Sequence, residues 1–369
     1  MSIALAGRLP GLFEDEHEAL RESFARFLAE RVTAETYAGW GEPDGAGVPP
    51  SFFAAAAEHG FVAMAIPEEH GGSGVEDPRF GAVLVEAAMH AGLPAVALAL
   101  GQHNDVCVPA LLSCAQDPVL LTRLAGGRSL TALAGPGALT ARRSGDVWVL
   151  DGSCPAVLGG VHADVLVVIA DAGEHAHAFV IDAEVGGLTR APGVARFGLQ
   201  AADFADVVLD GVRVPAQRCL GPDTAESVLV GQRLTLAVAA VAGARAALDW
   251  TVQYVHERRA FGQPLAAFEN TRITLGDVAA ELTATSAFVD SCLLAHAAGA
   301  LGAATAAAAK LRATELQARA VDAGVQLHGG YGYMSEYPIA RAYADARMLR
   351  MFGGSSEHLR AVIAQAAGV

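Results

Sequence analysis

The spacing of apolar residues changes twice along this chain, from a helical period to a strand period and back again. Between about Glu14 and Leu124, apolar residues recur on helical faces that Gly and Pro interrupt. From roughly Ser129 to Gly221, short β-branched runs are separated by Asp-Gly, Gly-Gly and Gly-Val turns, a pattern typical of a small antiparallel β domain. From Ala225 onward the helical period returns and forms one long apolar stripe.

These changes predict three domains in a mainly α chain with a central β domain. We expect an N-terminal all-helical domain over residues 1–128, a middle antiparallel β domain over 129–222 and a C-terminal helical domain over 223–369. A length of 369 residues is sufficient to bury a large core in two or three domains. Within the last domain, two long helices are predicted over 268–298 and 303–326.

The charge and hydropathy of the chain exclude several classes of partner. The formal net charge of −15 argues against binding to nucleic acid or to an anionic membrane surface. The apolar stretch from Leu234 to Ala244 lies between Arg233 and Arg245 and is too short for a bilayer, so we expect no membrane span. The first ten residues lack the charged region of a signal peptide, so a cytoplasmic location is expected.

The cysteines are scattered and include no C-x-x-C pair, which favours small buried apolar residues in a reducing compartment over a metal site or a disulfide framework. They are Cys107, Cys114, Cys154, Cys219 and Cys292.

Two motifs of the C-terminal region carry residues suited to a phosphate-bearing ligand. In the first, Arg258 and Phe261 precede a glycine, and a guanidinium forms forked hydrogen bonds with phosphates. In the second, Gln326 precedes Gly329 and Gly330, and glycine lets a ligand approach the backbone closely. Simpler interpretations are a surface arginine beside a packing phenylalanine, and a glycine cap that ends a long helix.

A third motif runs from Phe352 to Glu357 and contains two glycines and two serines. Ser355 is typical of a helix cap, and Glu357 then falls in the first turn, where the helix dipole favours an acid. Helix N-termini also present free N–H groups to anions, so the segment suits either an ordinary cap or a ligand-binding loop.

These three motifs, with the loop Ile66–Gly72 and the segment Val207–Pro215, resemble the acyl-CoA dehydrogenase family in the same order over nearly the whole chain. The resemblance implies an N-terminal helical domain, a middle antiparallel β-barrel and a C-terminal four-helix bundle. It also implies FAD as cofactor, an acyl-CoA substrate and an electron-transfer flavoprotein as acceptor. In the family, a glutamate removes the α proton while the β hydrogen leaves as hydride to flavin N5.

The resemblance assigns roles to individual positions. Residues of the first two motifs reach across a subunit interface to the flavin of a neighbour, and residues of the third cradle the adenosine side of a flavin. The cofactor-binding candidates are Arg258, Phe261, Gln326, Gly329, Gly330, Ser355 and Glu357.

The position of the catalytic carboxylate departs from the family pattern. The usual base position is Gly353, which cannot accept a proton. Some relatives place the base just before an arginine of the first C-terminal helix, and that position is Gln232, a carboxamide without basicity. Glu357 is the nearest other carboxylate, one helical turn away. No catalytic residue is therefore assigned, and Glu357 is kept only as a candidate.

The β domain also departs from the family. The segment that meets the flavin and the thioester corresponds to Leu133–Ala138 and is shortened. The family's Trp-Ile-Thr segment, which lines the flavin ring, aligns with Ala156–Leu158, and leucine cannot donate the hydrogen bond near N5.

The positions that depart from the family pattern are those that contact a subunit's own flavin ring and substrate. The first two motifs, which contact the flavin of a neighbouring subunit, are kept. This predicts a non-catalytic subunit that completes the site of a homologous, Glu-bearing partner, which holds most of the FAD. The pattern resembles the heterotetrameric (α2β2) acyl-CoA dehydrogenases of actinobacteria, whose substrates are often CoA thioesters of steroid side chains. Two alternatives remain open: a self-sufficient homotetramer with an unrecognised base, and a flavin-free scaffold or CoA-thioester-binding protein.

Overall fold

The computed structural model describes residues 8–42, 46–113, 117–193 and 195–369, and Cys114 lies outside them. Of the other cysteines, Cys107, Cys154 and Cys292 are buried, Cys219 is partly buried, and all four are free thiols.

The N-terminal part is helical, as predicted. Capping residues fix where its helices begin: the Thr33 side chain accepts from the N–H of Thr36, and Asp117 accepts from the N–H of Val119. Proline occupies the first turn of five of the helices, and in the four that begin after a non-helical residue its missing N–H has no partner to lose. The helices are α1 (Asp15–Arg31), α2 (Ala34–Trp40), α3 (Pro50–Ala57), α4 (Pro78–His90), α5 (Pro94–Gly101), α6 (Val108–Leu112) and α7 (Pro118–Ala125).

The helices α5 and α6 are joined without a break by a π-helical segment, Gln102–Cys107. Phenylalanine rings fill the core between α1 and the α3 region: Phe24 packs edge-on against Phe61 at 4.9 Å between ring centroids, and Phe27 contacts Phe52 at 5.7 Å.

The middle part is one eight-stranded sheet with the order β6-β7-β3-β2-β4-β5-β8, in which β1 pairs with β4. Two long strands, β3 and β7, pair antiparallel through most of their length. The strands are β1 (Thr131–Ala134), β2 (Ala138–Ser144), β3 (Val147–Leu158), β4 (Val165–Asp171), β5 (Ala176–Asp182), β6 (Leu188–Pro192), β7 (Phe204–Pro215) and β8 (Cys219–Leu220).

The expected antiparallel barrel is wrong in two respects. In the pairing of the described strands, β6 and β8 are the two ends of the path, so the barrel is not closed. The sheet is also mixed, because β1 runs parallel to β4 from Thr131 opposite Val165 to Ala134 opposite Val168. The physical reason is connectivity: β1 enters directly from the helical part and lies beside a strand that it does not meet through a hairpin.

The C-terminal part consists of three long helices and two shorter ones, and α10 packs along both α8 and α9. Small residues allow this close approach, and a Cβ added at Gly243 of α8 would lie 2.3 Å from the Gln317 amide nitrogen of α10. Four-helix-bundle geometry stays a prediction. The helices are α8 (Gly221–Glu257), α9 (Glu269–Ala297), α10 (Ala303–His328), α11 (Pro338–Leu349) and α12 (Ser356–Ala366), and a hairpin of β9 (Arg259–Ala260) and β10 (Gln263–Pro264) follows α8.

The change from helix to sheet falls between α7 and β1, and the change back to helix falls at the start of α8. Both lie near the domain limits expected at 128/129 and 222/223, and these limits remain predictions.

We expected no apolar segment long enough to cross a bilayer, and this expectation is wrong. By length and mean hydropathy alone, Pro94–Leu112, Gly221–Glu257 and Glu269–Ala297 could each cross a membrane. The strongest, with a mean hydropathy of 1.5, has 83% of its apolar window buried inside the protein. Most of the apolar side chains in this window therefore pack inside the protein. Arg233 and Arg245 interrupt the apolar sequence, but helix α8 continues through both.

Candidate functional site

The two positions where a catalytic base was expected lie against each other. Gly353 precedes α12 with a φ of +64°, in the left-handed region that favours glycine. A Cβ placed on it would lie 3.6 Å from Gln232 Oε1 and 2.8 Å from Leu236 Cδ1, both on α8. Gln232 is only 8% exposed, and its Oε1 is buried without a hydrogen-bond partner among the described residues. The site therefore contains a carboxamide and a glycine where a carboxylate was expected.

Two buried cations hold the loop that carries Gly353. Arg233 Nε donates to the Gly353 carbonyl at 3.3 Å, and Lys310 Nζ donates to the Gly354 carbonyl at 2.8 Å. Lys310 is fully buried, and desolvation, reinforced by the nearby arginines 233 and 350, lowers its pKa to about 7. The Phe352 ring packs on Phe204 of β7 at 5.5 Å, so the loop is also tied to the sheet.

The residues after the glycines form a helix cap, as the sequence predicted. Ser355 Oγ accepts from the N–H of His358 at 3.3 Å and begins α12. Glu357 lies in the first turn and is fully exposed; a hydrogen bond from its own backbone N–H, and then one from the Ser355 side chain, lower the pKa of its carboxyl. A carboxylate with a lowered pKa is a weak proton acceptor, so this environment does not favour Glu357 as the base.

The outward-reaching candidates converge at the opposite end of α8. Arg258 follows the last residue of α8 and is exposed, and its Cζ lies 5.5 Å from the centre of the Tyr331 ring. Phe261, on the hairpin, is 96% exposed. Nothing lies within 4 Å of a Cβ built on Gly329 or Gly330, so the backbone there is open to a ligand.

Tyr254 and His328 bring these segments together. Their rings stack at 4.1 Å, and the Tyr254 hydroxyl donates to the His328 carbonyl at 3.2 Å. This contact joins the end of α8 to the end of α10, where Gln326 is exposed one turn before the glycines. The structure therefore places the candidates of the first two motifs on one exposed surface, formed by Arg258, Phe261, Gln326, Gly329 and Gly330, which we call the outward surface.

The outward surface lies far from the empty base positions of the same subunit. Arg258 comes 26 residues after Gln232 along the continuous helix α8. At 1.5 Å per residue, the two positions are about 39 Å apart along the helix axis. A cofactor seated against Gln232 cannot reach Arg258 of its own subunit.

The aligned segments of the sheet contribute no polar side chain to a ring-binding slot. Leu158 ends β3, is 5% exposed, and its carbonyl accepts from Gln102 Nε2 at 2.8 Å. Ala156 has a φ of +54° and its N–H donates to Asp206 Oδ1 at 2.9 Å. The leucine side chain is packed in the protein core and carries no donor.

A cavity that sequence reasoning missed lies between α4, the π-helical segment, α8 and α9. Its volume is about 410 Å³, within the range of small-molecule sites. It opens beside Gly231, the neighbour of Gln232 on α8. The sequence signal was Asp105, a lone acid inside the apolar stretch from Pro94 to Leu112. The polar lining includes Glu76, Asp77, Asn104, Asp105, Ser113, Asp223, Thr224, Ser227 and His296.

Asp105 differs from the polar residues that precede it in the π-helical segment. Gln102 donates to the Leu158 carbonyl, and His103 Nδ1 forms a hydrogen bond with the Thr131 hydroxyl at 2.9 Å. The Asn104 side chain accepts from the Ala63 N–H and donates to the Phe61 carbonyl. Asp105 has neither a side-chain hydrogen bond nor an ion pair with any residue that the structure describes. Burial alone raises its pKa to about 8.

Two family descriptions match the sequence. "Acyl-CoA dehydrogenase, N-terminal domain" matches residues 14–125, and "Acyl-CoA dehydrogenase, C-terminal domain" matches residues 221–368. The mitochondrial long-chain specific acyl-CoA dehydrogenase of Sus scrofa is 32% identical over 379 aligned residues, which cover 96% of this chain and 87% of that protein.

Solved structures agree. An acyl-CoA dehydrogenase from Geobacillus kaustophilus is similar with a TM-score of 0.86 at 29% identity, covering 97% of this chain and 99% of the other. A glutaryl-CoA dehydrogenase from Mycobacterium smegmatis, solved in complex with FADH2, shares the fold with a TM-score of 0.84 at 21% identity, covering 96% and 95%. This chain belongs to the acyl-CoA dehydrogenase family, whose members are FAD-dependent oxidoreductases that dehydrogenate acyl-CoA thioesters.

Proposed function

We propose that this chain is the non-catalytic subunit of an FAD-dependent acyl-CoA dehydrogenase and completes the flavin site of a homologous subunit that carries the catalytic glutamate. One observation supports this most strongly. The two base positions, Gly353 and Gln232, meet without an acid, whereas the outward surface remains intact about 39 Å away along α8. A subunit built in this way assists chemistry in its neighbour more readily than in itself.

The outward surface fits the nucleotide half of a neighbour's FAD. Arg258 supplies an exposed guanidinium for the pyrophosphate, and Phe261 supplies an exposed ring for the edge of the cofactor. Gln326 and the open backbone at Gly329–Gly330 suit the adenosine side. When bound, the flavin supplies the hydride acceptor for the β hydrogen.

This chain's own ring site fits a flavin poorly. Leu158 provides no hydroxyl where the family hydrogen-bonds the ring. Ser355 and Glu357, at the start of α12, stay candidates for the adenosine side of a flavin, which is separate from the ring site. Gln232 can orient a thioester by hydrogen bonding, but its amide cannot remove a proton.

The proposal extends to the partners of the assembly. The homologous subunit supplies the carboxylate and holds most of the flavin, the substrate is an acyl-CoA ester of a lipid or a steroid side chain, and an electron-transfer flavoprotein accepts the electrons. The assembly is an α2β2 heterotetramer in the cytoplasm.

Co-expression tests the proposal. The chain is purified alone and together with the product of an adjacent reading frame that encodes a Glu-bearing homologue, and the visible spectrum and subunit ratio are recorded. We expect a colourless or insoluble product alone and a yellow one-to-one complex with the partner. A yellow chain that oxidises acyl-CoA without any partner contradicts the proposal and supports a self-sufficient enzyme.

The cavity beside Gly231 favours a second function for the same chain, namely that it keeps an acyl-CoA-binding site of its own. Binding and proton abstraction are separate properties, so a subunit without a base can retain the first. Calorimetric titration of the flavin-free chain with an acyl-CoA tests this second function directly.

A further inference from the structure

The cavity between α4, the π-helical segment, α8 and α9 is placed to receive an acyl group. Gly231, the residue before Gln232 on α8, lines this cavity together with Asp105. A Cβ on Gly231 would lie 3.3 Å from the Asp105 carbonyl, so the wall between α8 and the π-helical segment is close-packed at this point. An acyl group held in the cavity therefore lies beside both Gly231 and Asp105.

We propose that this cavity binds an acyl group that carries a hydrogen-bond donor, an amine or a hydroxyl, and that Asp105 is the residue that recognises it. The proposal rests on the acyl-CoA-binding function proposed above and adds the substrate class. It holds whether the chemistry takes place in this subunit or in its neighbour.

The first support is the missing partner of Asp105. Asp105 is partly buried and its carboxyl has no hydrogen bond with the described residues, whereas Gln102, His103 and Asn104 each bond to the protein through at least one side-chain atom. A π-helical segment is itself rare, and such segments are frequent at functional sites. A ligand that donates to Asp105 supplies the contact that the described part of the chain does not.

The second support is the space kept beside the carboxyl. A Cβ built on Gly81 of α4 would lie 1.8 Å from Asp105 Oδ1, so any side chain at position 81 displaces the carboxyl. A purely apolar pocket has no need of a buried acid or of a glycine that makes room for it.

The third support is the sign of the charge around Asp105. The other ionisable groups of the cavity wall are Glu76 and Asp77 before α4, Asp223 on α8 and His296 on α9. Asp77 is paired with Arg79 at 2.7 Å, and burial lowers the pKa of His296, which keeps it neutral at pH 7. An acyl group that ends in a second carboxylate is therefore disfavoured, whereas an ammonium or hydroxyl group is favoured.

Matched CoA thioesters test the proposal by binding rather than by turnover. The probes are hexanoyl-CoA, 5-aminopentanoyl-CoA, 5-hydroxypentanoyl-CoA and glutaryl-CoA, with shorter and longer homologues of each. They are titrated calorimetrically into the purified protein, together with its partner subunit where the two co-purify. At the best-fitting length we expect the amine or hydroxyl probe to bind at least about tenfold more tightly than its alkyl counterpart, and the carboxylate probe to bind most weakly.

Three variants assign the selectivity to one residue. Asp105→Asn reduces the donor-to-alkyl ratio about tenfold while keeping the shape of the side chain, and Asp105→Leu reverses the preference. Glu226→Gln, which removes an exposed carboxylate of α8 outside the cavity lining, is the matched control and leaves the ratio unchanged. The selectivity of the unaltered protein is measured independently, so it remains decisive if a variant fails to fold.

Each outcome has one meaning. Equal or tighter binding of the alkyl probes at every length overturns the proposal, as does a donor preference that survives in Asp105→Asn. If no thioester binds the unaltered protein, hexanoyl-CoA included, the acyl-CoA-binding function has failed and the recognition by Asp105 fails with it. If alkyl probes bind well and without selectivity, only the inference about Asp105 has failed.

Discussion

Replacing Arg258 by alanine separates a role in a neighbour's cofactor site from a role in this chain's own stability. Within the subunit, Arg258 is exposed and contacts the Tyr331 ring at 5.5 Å. An exposed cation–π contact contributes about 0.5–1 kcal/mol, so the unfolding free energy of the isolated subunit should fall by no more than about 1 kcal/mol.

The expected effect on FAD binding is larger. A guanidinium that grips a pyrophosphate makes charge-assisted, forked hydrogen bonds worth about 1.5–3 kcal/mol. Their loss weakens FAD binding to the assembled complex about 10- to 100-fold. Arg258→Lys should fall between the two, because it keeps the charge and loses the fork.

The assay is a titration of the flavin-free complex with FAD, followed by the quenching of flavin fluorescence, with thermal unfolding of the same samples in parallel. Arg259→Ala is the control, because it removes the same charge one residue away. The Arg259 guanidinium donates to the Gly262 carbonyl of its own hairpin at 2.9 Å. The FAD affinity of the Arg259→Ala complex should therefore stay close to that of the unaltered complex. An unchanged FAD affinity in Arg258→Ala refutes the assignment of the outward surface, and an equal loss in Arg259→Ala attributes the effect to the hairpin instead.

Three further predictions concern the loop and its surroundings. Gln232→Glu places a carboxyl where Gln232 Oε1 is buried without a described partner, and burial should raise its pKa by more than the nearby Arg233 and Lys310 lower it. A net rise of one pKa unit costs about 1.4 kcal/mol at neutral pH, and urea unfolding should show this cost vanishing as the pH falls to about 4.3. Burial lowers the pKa of Lys310 from its ordinary value of 10.5 to about 7, so the folded state binds fewer protons between these values and gains stability as the pH rises. Lys310→Met removes this gain, so its stability relative to the unaltered protein should decrease from pH 7 to pH 10, and a constant difference in urea unfolding would contradict the reasoning. Ser355→Ala should destabilise α12 by about 1 kcal/mol, and exchange protection confined to α12 should drop accordingly in hydrogen-exchange measurements.

The sequence was most informative where one local pattern determines the structure. The helical period predicted the helices over 268–298 and 303–326, and the structure has them at Glu269–Ala297 and Ala303–His328. Ser355 was predicted to begin the last helix, and it does so through a single short-range hydrogen bond. These elements depend on residues a few positions apart, which a single sequence displays directly.

The sequence was least informative where distant segments meet. The β-branched runs identified strands but not their partners, so the parallel pairing of β1 with β4 was missed. The resemblance supplied both Gly353 and Gln232 as base positions, but their contact depends on a loop whose Gly353 lies 120 residues after Arg233 of α8. Asp105 could be read as a lone acid in an apolar stretch, whereas its lack of a partner depends on what the neighbouring helices provide.

The flavin content of each subunit tests the central claim most directly. The purified assembly is separated into its subunits under conditions that retain bound FAD, and flavin and protein are quantified for each. We predict one flavin for each Glu-bearing subunit and none retained by this chain. One flavin retained per copy of this chain, with bleaching of that flavin by an acyl-CoA in the absence of any partner, would contradict the account.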